Sequence, residues 1–173
     1  MALAKRIWAM PNRHTFRVPP LLDVVMRYKA GVWVDPFAGW NSPAELTNDL
    51  NPLAPTDEHV EAADFLVGLA DIGVQVDGAI FDPPYSITQV SRSYKDIGLK
   101  FKGAENPTGG FPKVRDLLAL LVRDGGYVVS FGWNSVGMGL KRGFEPVEYL
   151  LCCHGGNRND TIVTVERRIR GTR

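Results

Sequence analysis

Apolar positions in this chain follow two periods, one helical and one strand-like, and the two alternate along the sequence. Helical spacing predicts helices within residues 20–30, 59–73 and 112–126. Short apolar runs bounded by Pro, Gly or Asp predict strands within residues 32–39, 44–49, 77–85 and 127–135. Two further runs, 145–154 and 161–168, flank the Gly/Asn-rich turn 155–160 and predict an antiparallel hairpin. The order indicates an α/β fold with a doubly wound, mostly parallel sheet that ends in an antiparallel edge pair.

The length and the continuity of this pattern predict one domain over residues 1–173. Chains divide at about 100–200 residues per domain, and we find no internal repeat or linker. The stretch 86–110 is polar and has no firm period, so no element is assigned to it. No separate target-recognition domain is expected.

Charge and cysteine content narrow the function classes. Twenty basic and nineteen acidic side chains give a net charge of +1, so nucleic acid could be attracted only by a local basic patch. The adjacent Cys152 and Cys153 lie in an apolar run and are expected to be buried, unbridged thiols of a reducing compartment. With His154 they form no recognised metal-ligand spacing, and no apolar run is long enough to span a bilayer. A soluble protein of the cytoplasm is the expectation.

Polar residues follow the predicted strands where the strands end. Asp35, Asp49 and Asp82 lie at the ends of three predicted strands, and Gly132 and Asn134 lie at the end of a fourth. The carboxyl ends of parallel strands share one edge of a sheet, where α/β proteins bind ligands. Each aspartate alone could instead cap the next helix. Three at separate strand ends favour a functional cluster.

The strongest chemical signal is IFDPPYS, residues 80–86. Two prolines fix φ and remove two N–H donors, so the loop is stiff and its carbonyls have fewer local partners. The Asp82 carboxylate and the Pro83 carbonyl could accept the N–H bonds of a planar amine, with Pro84 fixing the turn and Tyr85 offering an aromatic face. A proline-rich turn with a core tyrosine is the alternative.

DPPY (82–85) with DPFAG (35–39) upstream resembles the motifs of S-adenosylmethionine-dependent amino-group DNA methyltransferases, which act on adenine N6 or cytosine N4. The cofactor loop precedes DPPY, as in some subgroups of that family, and residues 44–52 and 114–135 resemble further family segments. The likeness spans roughly residues 10–168, and the C-terminal hairpin is similar to that of small phage-type members. It implies a Rossmann-like class I methyltransferase fold, S-adenosyl-L-methionine as cofactor, and a possible link to restriction-modification.

The resemblance also implies a cofactor site. Asp49 would bind the ribose hydroxyls, and either Glu61 or Asp64, of which we select Asp64, would lie near the adenine ring. The methionine end would be lined by two segments: Thr15 and Phe16, and the loop Asp35, Pro36, Phe37, Ala38 and Gly39. The arm containing Thr15 could instead be purely structural. Asn41 replaces a glycine common in the family, and Trp40 adds bulk there, so the detailed loop geometry is expected to differ.

A nucleic-acid surface is expected beside this site. Its candidate side chains follow strand ends or lie in the hairpin turn: Arg92, Lys95, Lys100, Lys102, Trp133, Asn134, Lys141, Arg142 and Arg158. A solvated charged surface is the alternative for the basic ones. With no large recognition region, short or relaxed sequence specificity is expected, and a homodimer is plausible.

The expected reaction is methyl transfer to adenine N6 in DNA. Asp82 and the Pro83 carbonyl would align the amine, and the flipped base would stack on Tyr85. The sequence leaves open cytosine N4, an RNA base or a protein amide as the acceptor, as well as an inactive cofactor- or nucleic-acid-binding module. The recognition site and the biological role, including a nucleoid-associated or phage-encoded one, do not follow from the sequence.

Overall fold

A seven-stranded sheet forms the centre of the computed structural model, which describes residues 1–99 and 111–169. In chain order the strands are β1 (Leu3–Trp8), β2 (Trp33–Asp35), β3 (Leu46–Thr47), β4 (Val76–Phe81), β5 (Val122–Gly132), β6 (Phe144–Cys153) and β7 (Thr161–Arg168). Their order across the sheet is β1-β6-β7-β5-β4-β2-β3. Only β7 runs antiparallel to its neighbours, β5 and β6. The mostly parallel sheet and the C-terminal hairpin are confirmed.

Helices cover both faces of the sheet because the central strands are apolar on both sides. The helices are α1 (Pro19–Tyr28), α2 (Ala62–Asp71), α3 (Ile87–Asp96) and α4 (Pro112–Leu121). Within β4, Ala79 and Phe81 pack with α2 and α4, while Ile80 between them packs with α1 on the other face. This alternation is the period of two that a strand imposes. Cys152 and Cys153 are buried and unbridged, as expected.

The sheet edge differs from the sequence-based expectation. The C-terminal hairpin does not form the edge, because β7 lies between β5 and β6 and β1 pairs in parallel outside β6. Strand β1 could not be predicted from the sequence, since five of its six residues are exposed and no apolar alternation marks it. The segment before residue 10 is therefore the outermost strand on that side.

Two local boundaries also differ. The predicted helix 112–126 ends at Leu121, and β5 begins at Val122 without a loop. Gly125, at φ +81°, lies inside β5 near a register shift against β4 rather than closing the helix. Helix α3 forms where no element was predicted. Ser86 caps it by accepting a hydrogen bond from the Gln89 N–H.

Candidate active site

One cavity of about 650 Å³ lies at the carboxyl ends of β2, β3 and β4, and Trp133, just after β5, also lines it. Its size falls within the range of roughly 300–1,000 Å³ that ligand pockets usually have. Residues from the loop before α1, the start of α2, helix α3 and the turn between β6 and β7 complete its wall. The predicted position of the site at this edge of the sheet agrees with this arrangement.

Asp82 lies in the cavity wall directly after β4, and both of its carboxylate oxygens accept hydroxyl donors. The Thr15 hydroxyl donates to Oδ2 at 2.5 Å, and the Tyr85 hydroxyl donates to Oδ1 at 2.6 Å. Burial raises the pKa of Asp82, while the two hydroxyl bonds act in the opposite direction. Asp82 is therefore a carboxyl group held in the cavity wall rather than a free surface acid.

The diproline turn fixes the position of Tyr85. Pro83 is buried, and the Tyr85 N–H donates to Gln89 Oε1 at 2.6 Å, which ties the turn to the first turn of α3. The Tyr85 ring meets the Trp133 ring edge-to-face, with centroids 5.7 Å apart. Burial, and then the Asp82 carboxylate, raise the pKa of the Tyr85 hydroxyl well above its ordinary value. Two aromatic rings and a carboxylate thus line the same part of the cavity.

The loop after β2 is organised around a buried acid. Asp35 is completely buried and accepts hydrogen bonds from the Phe37 N–H at 2.9 Å and the Ser42 hydroxyl at 2.7 Å. Burial raises the pKa of Asp35 to about 7. Asp35 does not line the cavity, whereas Pro36 and Phe37 do. The aspartate expected to face the cofactor instead shapes the loop from inside.

Asp49 joins this loop to the end of β3. Its Oδ2 accepts from the Gly39 N–H at 3.0 Å, and its Oδ1 accepts from the Asn51 N–H at 2.8 Å. Gly39 has φ +54°, a left-handed conformation in which a side chain is strained. Neither Ala38 nor Gly39 lines the cavity, but Asp49 does and is half-buried. Asp49 is thus a hydrogen-bond acceptor at the cavity wall, beside the loop that contains Gly39.

Asn48 is a positioning residue that the sequence analysis did not select. Its side-chain amide donates to the Pro36 and Val60 carbonyls at 3.1 and 3.0 Å, and its Oδ1 accepts from the Val60 N–H at 3.0 Å. It is 1% exposed and connects the β2 loop to the segment before α2. An Asn directly before the strand-end acid was the available signal.

At the start of α2, the structure distinguishes Glu61 from Asp64, between which the sequence left the choice open. Glu61 lines the cavity and accepts from the Tyr94 hydroxyl at 2.6 Å. Asp64, which we had selected, is exposed and is not among the cavity-lining residues. Glu61 is the N-cap and lies just outside the helix at the cavity end, whereas Asp64 lies in the first turn beside Ala63, Phe65 and Leu66, which turn into the core.

The segment before α1 is divided between core and cavity. Phe16 is 8% exposed and packs edge-to-face on Phe131, with centroids 5.7 Å apart. Phe16 therefore anchors this segment in the core, and its neighbour Thr15 reaches Asp82. Arg13, which the sequence analysis did not select, lines the cavity nearby.

The predicted nucleic-acid residues do not all reach the cavity. Arg92, Arg158 and Trp133 line it, and Arg92 and Arg158 are exposed to solvent. Lys95 is exposed but does not line it, and Asn134 lines a smaller adjoining cavity of about 50 Å³ instead. Lys141 is also exposed, and Arg142 is paired with Asp116 at 2.6 Å. Lys100 and Lys102 lie outside the described residues.

Comparison with solved structures matches this arrangement of strands and helices to several proteins. N-methyltransferase NodS from Bradyrhizobium japonicum WM9 superposes with a TM-score of 0.54 at 11% identity, covering 87% of this chain and 93% of that one. The chain has the Rossmann-like fold of the methyltransferases. TrmN from Thermus thermophilus matches that methyltransferase fold with a TM-score of 0.54 at 16% identity over 88% of this chain. NSun6 from Pyrococcus horikoshii, solved with SFG, gives 0.53 at 12% identity over 82%.

Comparison of the sequence with family models and curated proteins identifies no further similarity. This chain spans about half the length of TrmN and NSun6, 49% and 48% respectively. No protein-family model matches the sequence, and no curated protein matches it. Among the described residues, no helix has the length and apolar character needed to cross a bilayer.

Proposed function

We propose that this protein is an S-adenosylmethionine-dependent methyltransferase that modifies the N6 amino group of adenine in DNA. The observation that carries the proposal is the arrangement around Asp82. A held carboxylate, a rigid diproline turn and two aromatic rings line one cavity in a methyltransferase fold. An aromatic amine presents the complementary groups, namely two N–H donors on a flat ring.

The residues at the other end of the cavity fit the cofactor by their chemistry. Asp49 offers carboxylate oxygens suited to ribose hydroxyls, as the acidic residue of dinucleotide-binding folds does. The left-handed turn at Gly39 lets its N–H donate to Asp49, which holds that carboxylate at the cavity wall. Glu61 and Phe37 line the same cavity. When bound, the cofactor supplies an electrophilic methyl group on a sulfonium.

The chain's own residues then align the acceptor. The lone pair of an exocyclic amine is delocalised into the base, so the nitrogen is a weak nucleophile. Hydrogen bonds to Asp82 and the Pro83 carbonyl would favour a pyramidal nitrogen and direct its lone pair towards the methyl group. The Asp82 carboxylate would also favour the positive charge that develops on the nitrogen. In the transfer the nitrogen would gain the methyl group as the methyl–sulfur bond breaks to give a neutral thioether, and one amine proton would pass to water.

A base inside a duplex cannot reach this cavity, so the target base would be turned out of the helix and stacked on Tyr85. Arg92 and Arg158 are exposed at the cavity wall, where they could bind phosphates flanking that base. Replacing either by Ala should raise KM for DNA and reduce the slope of binding against salt by about one. Arg167→Ala, an exposed arginine outside the cavity, is the matched control.

The central test incubates the protein with labelled cofactor and DNA, RNA or protein acceptors, followed by digestion of the labelled product. Recovery of N6-methyldeoxyadenosine supports the proposal. Label in RNA alone keeps the methyltransferase and refutes the DNA acceptor, and label in protein alone refutes a nucleobase acceptor. Asp82→Ala should abolish transfer while cofactor affinity, measured by calorimetry, stays within about threefold, since Asp82 is assigned to the acceptor. Asp23→Ala, on the exposed side of α1, should change neither.

A further inference from the structure

The hydroxyl groups that bind Asp82 come from two separate parts of the chain. Thr15 lies 67 residues before Asp82 in a short 3-10 turn, whereas Tyr85 belongs to the same diproline loop as Asp82. They bind different oxygens of the carboxylate, at 2.5 and 2.6 Å. Distances this short are typical of hydroxyl bonds to an ionised acceptor.

Each hydroxyl is held in place independently of Asp82. Thr15 accepts from the Val18 N–H at 3.1 Å through its carbonyl, and its neighbour Phe16 is buried against Phe131. Tyr85 is fixed through its N–H on Gln89 and through its ring contact with Trp133. Because both donors are anchored by other contacts, their positions determine the orientation of the Asp82 carboxylate.

We propose that Thr15 and the Tyr85 hydroxyl are positioning residues that together hold Asp82 as an oriented acceptor for the substrate amine. This inference rests on the proposed function, and it gives Tyr85 a second task besides stacking. An ionised carboxylate has about four lone-pair sites, of which the two hydroxyls use two. The remaining sites accept the amine, at an orientation that is already fixed before the base arrives.

The clamp also favours the ionised form of Asp82. Burial favours the neutral acid, and the hydroxyl bonds favour the carboxylate, so removal of either bond raises the pKa of Asp82 further. The titratable groups at the neighbouring strand ends are the buried Asp35, which interacts electrostatically with Asp82, and the half-buried Asp49. Those on the other walls of the same cavity are Glu61, Arg13, Arg92, Asp96, His154 and Arg158. A protonated Asp82 would offer a hydrogen where the amine needs an acceptor.

The test uses the full chain with Thr15→Val, Thr15→Ser and Tyr85→Phe. Thr15→Val should lower kcat about 10- to 100-fold, the worth of one hydrogen bond to a charged group, and Thr15→Ser should recover it to within about threefold. Tyr85→Phe keeps the stacking ring and should lower kcat similarly. In both defective variants the acidic limb of the kcat/KM profile should move to higher pH, while cofactor Kd stays within about twofold of wild type.

A readout without catalysis separates this inference from the proposed function. A carbon-13 titration of the Asp82 carboxyl, assigned with Asp82→Asn, should show a higher pKa in Thr15→Val and Tyr85→Phe than in wild type. Unchanged titration in both variants overturns the clamp, even in an active enzyme. A Thr15→Val variant that loses only cofactor affinity also overturns it. If wild type transfers no methyl group but the titration shifts, the clamp stands and the proposed function fails. Should Thr15→Val not fold, Tyr85→Phe alone decides.

Discussion

Asp35 is a buried carboxyl group whose ionisation should cost the protein stability. It is 0% exposed, and burial raises its pKa from 3.8 to about 7, although the Phe37 N–H and the Ser42 hydroxyl partly oppose that effect. Asp35→Asn preserves the shape and still offers an oxygen to the Phe37 N–H. It removes the ability to ionise, and at the Ser42 hydroxyl it replaces an acceptor oxygen by an amide N–H that can donate to that hydroxyl.

The magnitude follows from the difference in pKa between the folded and unfolded chain. Below pH 3.8 the carboxyl is neutral in both states and has no effect through ionisation. Between 3.8 and about 7 the unfolded chain ionises while the folded chain keeps its proton, so the wild type loses stability as pH rises. One pKa unit corresponds to about 1.4 kcal/mol, so a shift of about three units amounts to about 4 kcal/mol. Above pH 7 the loss levels off, since both states are then ionised.

The assay is urea unfolding of wild type and Asp35→Asn at several pH values from 3.8 to about 7. All other titrating groups are shared, so the difference in unfolding free energy isolates Asp35. Across this pH interval, the unfolding free energy of Asp35→Asn relative to that of wild type should rise by about 4 kcal/mol. Parallel curves would refute the reasoning, because they would mean that the folded protein accommodates the charge as well as water does.

Three further predictions concern separate parts of the molecule. Glu148 is buried and accepts hydrogen bonds from Arg27 and Tyr28; burial alone would raise its pKa, but these bonds lower it. Glu148→Gln should therefore lower the free energy of unfolding by about 1–2 kcal/mol at neutral pH. Urea unfolding should show that difference shrinking as pH falls below 4.5. The added methyl group of Gly78→Ala would overlap the buried Trp33 ring and should lower the free energy of unfolding by about 1–3 kcal/mol in the same assay. Gly68→Ala, which has open space around it in α2, should be neutral or stabilising. Equal effects of the two variants would contradict the packing. Asp49→Ala should weaken cofactor binding about 10- to 100-fold in calorimetry, with Asp64→Ala near wild type; the reverse result would restore Asp64 as the cofactor residue.

The fold was largely predictable because most of its elements bury a face. Strands β2, β4 and β5 are apolar on both sides, and α1, α2 and α4 carry clear stripes, so periodicity locates them. Strand β1 was not predicted because pairing with β6 at an exposed edge leaves no burial pattern in its sequence. Helix α3 buries only Val90 and so lacks a stripe, but Ser86 and Gln89 formed a readable capping signal.

The cavity lies at the sheet edge where the sequence predicts a site, but the contacts within it were not predictable. Parallel strands end at a common edge, so the acids at 35, 49 and 82 could be expected to lie near each other. The depth of each acid depends on the loop that follows it, which no periodicity describes. The Thr15 contact joins positions 67 residues apart, and local spacing carries no trace of such a pair. The choice between Glu61 and Asp64 depended on where α2 begins, because Glu61 is the N-cap of α2 and Asp64 lies in its first turn.

The three strand-end aspartates therefore differ in chemistry although they look alike in sequence. Asp35 lies inside the loop and is neutral over much of the pH range, so its replacement should change stability. Asp49 is half-buried and spans two backbone donors, so its replacement should act on the cofactor end. Asp82 is held by two hydroxyls at the acceptor end, so its replacement should act on transfer. Burial depth and donor type separate these effects, and variants at the three positions should consequently fail in three distinguishable assays.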